Sequence, residues 1–479
     1  KIEILSQPSE FLEALLSGIT SAKRKIFLCS LYVGTDVPVL VSALSAALRD
    51  RSKLTVYILL DRLRCTRTGP DSDGTQTTAH MLLPLLQEFG PGRVTLRFYH
   101  TPNLRGLWER LVPRRLKEGF GLQHIKFCGF DDQAIVTGAN LSGEYFSNRQ
   151  DRYYSFSESP ELVDYMETLV TTLGRFSYSI SHASDAQQPT FEWPKANHTP
   201  LPLEQSDEET IRESARRHLI PLIWNSKTGI SKKQTTIPSA TSTVVYPLAQ
   251  LNPLLGRSSG FPTSTHEWAL THLLSVISTH CATWTFSTPY LSLTPGLQRW
   301  MIDHRTASSS GTVIAAAPEA MSFYGAKGLA RYIPRAFSEE FRKLQRLFHS
   351  NNPSILPRLL QWRRGTAHAK NGWTFHAKGW WIGGLPGWSE EDDLSMTIVG
   401  SSNYGERSLN LDLELDLLIV TRDAELKKRI HSEEQRMLKH GRGDADVAHG
   451  KRANRVGGIL EGVIVWVLMA VIGLMGLSI

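Results

Sequence analysis

Apolar positions near the amino end alternate between strand and helix spacing. KIFLCSLYVG over 25–34 is a nearly unbroken apolar run of strand length, and VPVLVSALSAAL over 37–48 repeats its apolar residues at helical intervals. LTVYILLD over 54–61 is strand-like again, and after the helical MLLPLLQEF (81–89) comes the strand VTLRFYH (94–100). This alternation predicts an α/β sheet with helices packed on it. A second cycle opens near Glu267: helical WALTHLLSVIST, then ATWTFSTPYLSL (282–293) as strand and turn, helical QRWMIDHR, and the strand GTVIAAAP (311–318). The stretch 186–242, rich in Pro, Ser, Thr and Asn, reads as a connection. The expected organisation is a lobe over 1–185, that connection, a second lobe over 243–440, and a basic then hydrophobic terminal segment over 441–479.

Chemistry enters at corresponding places in the two halves. The first carries QHIKFCGFDDQAIVTGANLSGEYFSNRQDRYY, with His124 and Lys126 two apart and Asp131 following Lys126 after four intervening residues. Residues at i and i+2 of a strand share a face, so imidazole and ammonium project together. The second carries FHAKGWWIGG, with His376 and Lys378 again two apart, followed by MTIVGSSNYGERSLNLDLEL. Each copy leads through a turn and an apolar strand to glycine and asparagine, Asn140 in one half and Asn403 in the other. A lone His-x-Lys means nothing; His368 and Lys370 match it in TAHAKNG with no strand behind them, and read as a loop coincidence. The duplicated pair is a different matter, because structural histidines do not readily explain both copies.

Two imidazoles and two lysines suit attack on a phosphodiester. One neutral imidazole is a nucleophile that splits a hard displacement into two easier ones. The other exchanges protons with the leaving and entering oxygens. Lysines and asparagines supply fixed donors to the phosphoryl oxygens. Asp151 and Glu414, each a short distance after an asparagine, are candidates to orient an imidazole through its second nitrogen. No metal or cofactor is called for, since no carboxylate cluster points to one. Arg149, Arg152 and Arg407, with Ser401, are candidate ligands for a phosphate, which guanidinium forks grip bidentately; Arg62, Arg64 and Arg67 are weaker ones.

Composition narrows little beyond this. The 479 residues are 41% hydrophobic and 21% charged, globular values, and 53 basic against 46 acidic side chains leave a formal +7. That excess fits an anionic ligand or an anionic membrane surface. Four scattered cysteines at 29, 65, 128 and 281 give neither a disulfide framework nor metal spacing, so a reducing compartment is expected. Beginning at Lys1, the sequence reads as a processed or truncated product. VGGILEGVIVWVLMAVIGLMGLSI (456–479) just reaches the length that spans a bilayer and follows a basic stretch, so a membrane anchor is expected. NLRGLWERLVPRRLKEGFGL (103–122) and FYGAKGLARYIPRAFSEEFRKLQRLF (323–348) mix aromatic, aliphatic and basic residues as interfacial segments do.

The paired motifs resemble the H-x-K-x4-D … G-S-x-N signature of the phospholipase D superfamily. His124, Lys126 and Asp131 match its first part, and Gly138, Ala139 and Asn140 match the second loosely. In the other half His376, Lys378, Gly400, Ser401 and Asn403 match, while Gly383 stands where the superfamily has its aspartate. SLYVGTD (30–36), TGANLSGEYFSNRQDRYY (137–154), STPYLSLT (287–294) and FHAKGWW (375–381) look like the eukaryotic mitochondrial phosphatidylglycerophosphate synthases. The resemblance implies two α/β sandwich lobes related by a pseudo-two-fold, with the site between them and His124 as nucleophile. It further implies CDP-diacylglycerol and glycerol 3-phosphate as substrates, no nucleic acid partner, and a matrix-facing place on the mitochondrial inner membrane. On the residues alone, a phospholipase or nuclease of the superfamily stays open, as do a cardiolipin or phosphatidylserine synthase and a membrane scaffold with a dead site. Oligomeric state is left open.

Overall fold

The computed structural model describes residues 1–68, 76–114, 116–181, 188–224, 243–257, 263–280, 282–303, 311–349, 357–385 and 394–443. The hydrophobic segment 456–479, the basic stretch after 443, and Cys281 lie outside these residues. No helix among the described residues is long and apolar enough to cross a membrane.

Strands are numbered in chain order. The first half supplies β1 (Ile2–Leu5), β2 (Lys25–Cys29), β3 (Thr55–Asp61), β4 (Val94–Tyr99), β5 (Phe127–Phe130), β6 (Gln133–Thr137), β7 (Arg149–Gln150), β8 (Tyr153–Phe156), β9 (Ser177–Ile180) and β10 (Phe191–Glu192). The second supplies β11 (Thr243–Gln250), β12 (Thr283–Thr288), β13 (Gly311–Ala316), β14 (Arg358–Trp362), β15 (Thr374–Phe375), β16 (Gly379–Leu385), β17 (Leu394–Gly400), β18 (Glu414–Thr421) and β19 (Gly441–Arg442). One sheet runs β1-β8-β6-β5-β2-β3-β4-β9-β10 and the other β11-β18-β17-β16-β12-β13-β14-β19. Strand for strand the first eight positions correspond. In both sheets only the central three strands, β2-β3-β4 and β12-β13-β14, are parallel. The internal duplication legible in the motifs is thus a duplication of topology.

Each strand divides its side chains between two layers, as the pleat requires. In β2, Ile26 and Leu28 face the helices Pro8–Ser21 and Pro38–Asp50, while Phe27 and Cys29 face inward. The second sheet sends Trp284 and Phe286 outward to the helices Thr265–His280, Pro295–Asp303 and Ile333–His349. That last helix covers most of the second interfacial candidate; with Phe337, Phe341 and Leu344 buried it is an ordinary amphipathic helix on the lobe. The inner faces of both sheets share one apolar core with the helices Pro160–Gly174, Glu208–Ile223 and Ala424–Leu438. The connecting stretch therefore contributes β10 and a packed helix, in which Ile211, Ala215 and Leu219 are buried.

Two devices join the lobes. β7 pairs in parallel with β15, Thr374 opposite Arg149 and Phe375 opposite Gln150. Beside it, Arg152 of the first half meets Glu433 of the second, Nε to Oε1 at 3.0 Å and a terminal nitrogen to Oε2 at 2.8 Å. The same guanidinium donates to the Ile398 carbonyl and the Thr397 hydroxyl and lies 3.8 Å over the Trp381 ring. Tyr154 and Trp381 also donate to Glu433. This corrects the expectation that Arg152 binds substrate phosphate: every arm of its fork holds the protein together, with no solvent at it. Removing one partner of such a pair leaves an uncompensated buried charge. Glu433→Ala is expected to lower stability by about 3–5 kcal/mol in denaturant unfolding, whereas Glu425→Ala, in the exposed pair with Lys428, should leave the unfolding midpoint essentially unmoved.

Candidate active site

The chain reaches the site through residues 121–126, which leave β-pairing just before β5 and lie against the other lobe. Leu122 donates its N–H to Asp412, the His124 N–H goes to the Leu413 carbonyl at 2.9 Å, and Gln123 bridges to Leu413. The second motif does the reverse: the His376 N–H donates to the Gln150 carbonyl at 2.8 Å. Each motif is thereby pinned by backbone of the opposite half.

The side chains follow the same exchange. His124 Nδ1 lies 3.0 Å from both carboxylate oxygens of Glu414, and His376 Nδ1 lies 2.6 Å from Asp151 Oδ2. Both carboxylates come from the lobe opposite their imidazole, which places Asp151 and Glu414 where the sequence expected orienting groups. A carboxylate at Nδ1 favours the tautomer with Nδ1 protonated and Nε2 available; at His376 the Asp151 oxygen at 2.6 Å competes for that nitrogen with Lys378 Nζ at 2.8 Å. Ser408 donates to Glu414 Oε1 at 2.6 Å. Ser401, expected at the substrate, instead lies under this group: its hydroxyl exchanges hydrogen bonds with the backbone of Leu415.

Lys126 and Lys378 are also buried together. Lys126 Nζ reaches the His124 carbonyl at 2.6 Å; Lys378 Nζ reaches the His376 carbonyl at 2.7 Å and Asp151 Oδ2 at 3.3 Å. Gly138 makes room for this. A Cβ there would stand 2.6 Å from both Lys378 Nζ and Asp151 Oδ1. Burial governs the charge states. It pulls Lys126 down to about 7, with the neighbouring Glu414 resisting, and pushes Glu414 up to about 7 against the pull of Lys126. Burial, then the adjacent lysine in each motif, holds both histidines well below their usual range, so both imidazoles are neutral near pH 7.

Asparagine and arginine candidates divide. The side-chain oxygens of Asn140 and Asn403 are buried and meet no donor among the described residues. Asn140 Nδ2 donates to the Tyr145 hydroxyl at 3.2 Å. Arg407 pairs through Nε with Asp412 at 2.9 Å and sits close enough to His124 to depress its basicity. Arg149 donates to Thr374, pairs with Glu144, and lies 4.5 Å over the Tyr145 ring beside His376. Arg64 and Arg67 both bind Glu118, and Arg62 lies over the Tyr178 ring. His368, of the third His-x-Lys, is on an exposed turn.

Asp131 is a correction. It lies past the far end of β5, at φ 52°, and its carboxylate accepts the backbone N–H groups of Lys23, Arg24 and Lys25 at 2.8–3.0 Å. It caps the entry to β2 and takes no part in the site. Gly383, its counterpart in the second half, occupies the corresponding strand β16 opposite Thr283, so the missing aspartate leaves the site intact.

Sequence reading missed Tyr145, Ser408 and Asp412. The Tyr145 hydroxyl stands 3.2 Å from His376 Nε2, whereas no hydrogen bond joins His124 Nε2 to another described residue. Tyr145 lies between Asn140 and Arg149, inside the string that carried the resemblance, but a tyrosine in an aromatic-rich run has no signal of its own. His124, Asp412 and Glu414 lie within 4.8 Å of one another, a spacing that suits a cation. Arg407 and the Leu122 N–H already balance Asp412, and Ser408 and His124 balance Glu414, so the donors fit a hydrogen-bond network better than a metal.

Two topologically duplicated lobes closing on a pair of His-x-Lys motifs define a phospholipase D-like enzyme. No family model matches the chain. It is similar to the CDP-diacylglycerol–glycerol-3-phosphate 3-phosphatidyltransferase of Saccharomyces pastorianus, 35% identical over 92% of this chain and 82% of that one. It is also similar to the enzyme of that name, designated mitochondrial, from Mus musculus, 33% identical over 91% and 77%. The chain belongs to the CDP-diacylglycerol–glycerol-3-phosphate 3-phosphatidyltransferase family. In fold it is similar to the crystal structure of phosphatidylserine synthase from Haemophilus influenzae, with TM-score 0.69 at 19% identity over 98% of this chain and 92% of that one.

Asp151→Asn and Glu414→Gln keep shape but replace an acceptor with an amide that stabilises the wrong tautomer. Each is expected to lower kcat by about 10²–10⁴; Glu414→Gln should leave the thermal unfolding midpoint close to that of the unaltered protein, whereas Asp151→Asn, which also takes the charge partner from buried Lys378, should lower it.

Proposed function

We propose that the chain transfers the phosphatidyl group of CDP-diacylglycerol to glycerol 3-phosphate, releasing CMP. The observation that carries this reading is the pair of buried, neutral imidazoles, each held by a carboxylate of the opposite lobe. In the first step His124 Nε2 attacks the phosphorus that bears diacylglycerol. The bond to the bridging pyrophosphate oxygen breaks, and CMP leaves with that oxygen. A phosphate monoester has a second pKa of about 6, so it leaves as the dianion without needing a proton. In the second step a glycerol 3-phosphate hydroxyl attacks the phosphohistidine, His376 Nε2 takes its proton, and the P–N bond breaks. Two neutral imidazoles are therefore the resting state that this substrate pair requires.

His124 is favoured as nucleophile by its Nε2, which no described residue occupies, while the Tyr145 hydroxyl lies at His376 Nε2 where an acceptor hydroxyl belongs. In this reading Lys126, Lys378, Asn140 and Asn403 are the donors for the phosphoryl oxygens. Arg407 and Arg149, beside His124 and His376 respectively, are the cations for the second phosphate. In this reading the chain works in mitochondria at the matrix-facing surface of the inner membrane. The designation of the mouse relative supports the compartment, and the free buried thiols of Cys29, Cys65 and Cys128 suit a reducing one.

A two-step route lets the first half run alone. Labelled CMP is expected to exchange into CDP-diacylglycerol without glycerol 3-phosphate, and to stop doing so in His124→Ala; exchange that requires the acceptor would rule out the covalent route. Because burial depresses both histidine pKa values, the neutral forms persist into acid. The acid limb of kcat/KM is therefore expected near pH 7, where Glu414 takes up its proton, and should move to lower pH in the residual activity of Glu414→Gln; a limb near 7 that survives that substitution unchanged would contradict neutral resting imidazoles.

A further inference from the structure

Between β4 and the first motif the chain makes an excursion that the catalytic geometry does not use. It leaves the carboxyl end of β4, turns through a short helix at Leu107–Leu111 and a 3-10 turn at Leu116–Phe120, and returns at Gly121 to become the wall of the site. Four of its large apolar side chains are outside the core: Leu107 is 67% exposed, Trp108 62%, Leu111 67% and Leu116 41%. Apolar groups this exposed are common singly, but here four of them occur within ten residues of chain. Around them the sequence from 105 to 118 has five basic residues (Arg105, Arg110, Arg114, Arg115 and Lys117) against Glu109 and Glu118. Glu118 is already neutralised by Arg64 at 3.3 Å and Arg67 at 2.5 Å.

The excursion is held from beneath, not from its tip. The Thr101 hydroxyl and the Asn103 amide both donate to the Phe120 carbonyl at 3.2 Å, closing the base of the loop. Arg114 donates to the Thr66 carbonyl, tying it to the segment after β3. Leu122, two residues past Phe120, is bonded to Asp412 in the His124 network.

We propose that this surface docks the enzyme on an anionic bilayer: Leu107, Trp108, Leu111 and Leu116 enter the headgroup–acyl boundary, and the surrounding arginines meet lipid phosphates. The proposal rests on the lipid-substrate reading above. Three features select a bilayer over a protein partner. The apolar tip bears a tryptophan, whose ring suits the interfacial layer. The rim is basic, complementary to anionic lipid. The base of the loop leads directly into the motif that must receive a phosphatidyl group from a membrane, so docking here sets the mouth of the site at the depth of the substrate phosphate.

The test places an environment-sensitive nitrobenzoxadiazole label at Leu111→Cys in the full chain with Cys281→Ser; the three other cysteines are buried. Vesicles of phosphatidylcholine containing phosphatidylglycerol should shift the label's emission to the blue and shield it from iodide. A label at Lys53→Cys, just ahead of β3 at the amino ends of the parallel strands and so opposite the end of β4 that the loop leaves, should stay wet. A label at 111 that stays wet while the protein co-sediments with vesicles would mean that another segment holds the membrane, and would overturn the proposal. An equal shift on phosphatidylcholine alone would overturn the role of the basic rim. In parallel, L107S/W108S/L111S should reduce turnover of vesicle-embedded CDP-diacylglycerol at least tenfold and turnover of detergent-dispersed substrate less than twofold; equal losses would also overturn it. If the unaltered chain turns over neither form, the transferase reading fails, while the fluorescence still decides the surface.

Discussion

The exchange of carboxylates across the lobe boundary is the constraint on which the site depends. His124 has Glu414 and His376 has Asp151, so neither lobe alone completes either of the two motif imidazole–carboxylate pairs. Burial of four titratable groups in one place would ordinarily be unfavourable. Here each of these carboxylates finds its imidazole only when the halves are docked, which makes the catalytic arrangement a product of the interface. The structural pins run along the same boundary. Arg152, which holds Glu433, directly follows Asp151, and β7 directly precedes it, while β15, the partner of β7, directly precedes His376. Rigidity and chemistry are supplied by one short string, Arg149 to Arg152.

That string also shows how two arginines of similar sequence context acquire opposite roles. Arg149 and Arg152 are three apart, and both looked like phosphate ligands. The strand geometry separates them: Arg149 lies beside Tyr145 and His376, and Arg152 is inserted under β16 and β17 onto Trp381. Composition and spacing cannot make that distinction, because what decides it is Glu433, some 280 residues away on a helix with no motif.

Much of the fold was legible because the period of the apolar residues is local. The βαβ runs at 25–61 and the repeat after Glu267 became corresponding parallel cores of two sheets. The two His-x-Lys motifs were legible because duplication makes a weak signal strong, and Asp151 and Glu414 because a carboxylate following an asparagine recurs in both halves. Asp131 was misread since its role is backbone capping at the far end of a strand, which leaves the same sequence mark as a catalytic acid. Tyr145 was missed because its function is positional only: the hydroxyl acquires meaning from the 3.2 Å to His376 Nε2, a residue of the other lobe. The connecting helix Glu208–Ile223 was read as linker for a similar reason, its apolar stripe being short and its partner core distant in sequence.

The central claim is that the two lobes build one site in which His124 carries the phosphatidyl group and His376 moves the proton. The direct measurement is to incubate the His376→Asn variant with CDP-diacylglycerol labelled in the phosphatidyl phosphate, without acceptor, and to map the bound label by peptide mass spectrometry. The account predicts a base-stable, acid-labile phosphatidyl adduct on His124 that this variant forms but does not pass to glycerol 3-phosphate. No adduct on the protein, or His124→Asn forming one on His376 with turnover retained, would contradict it.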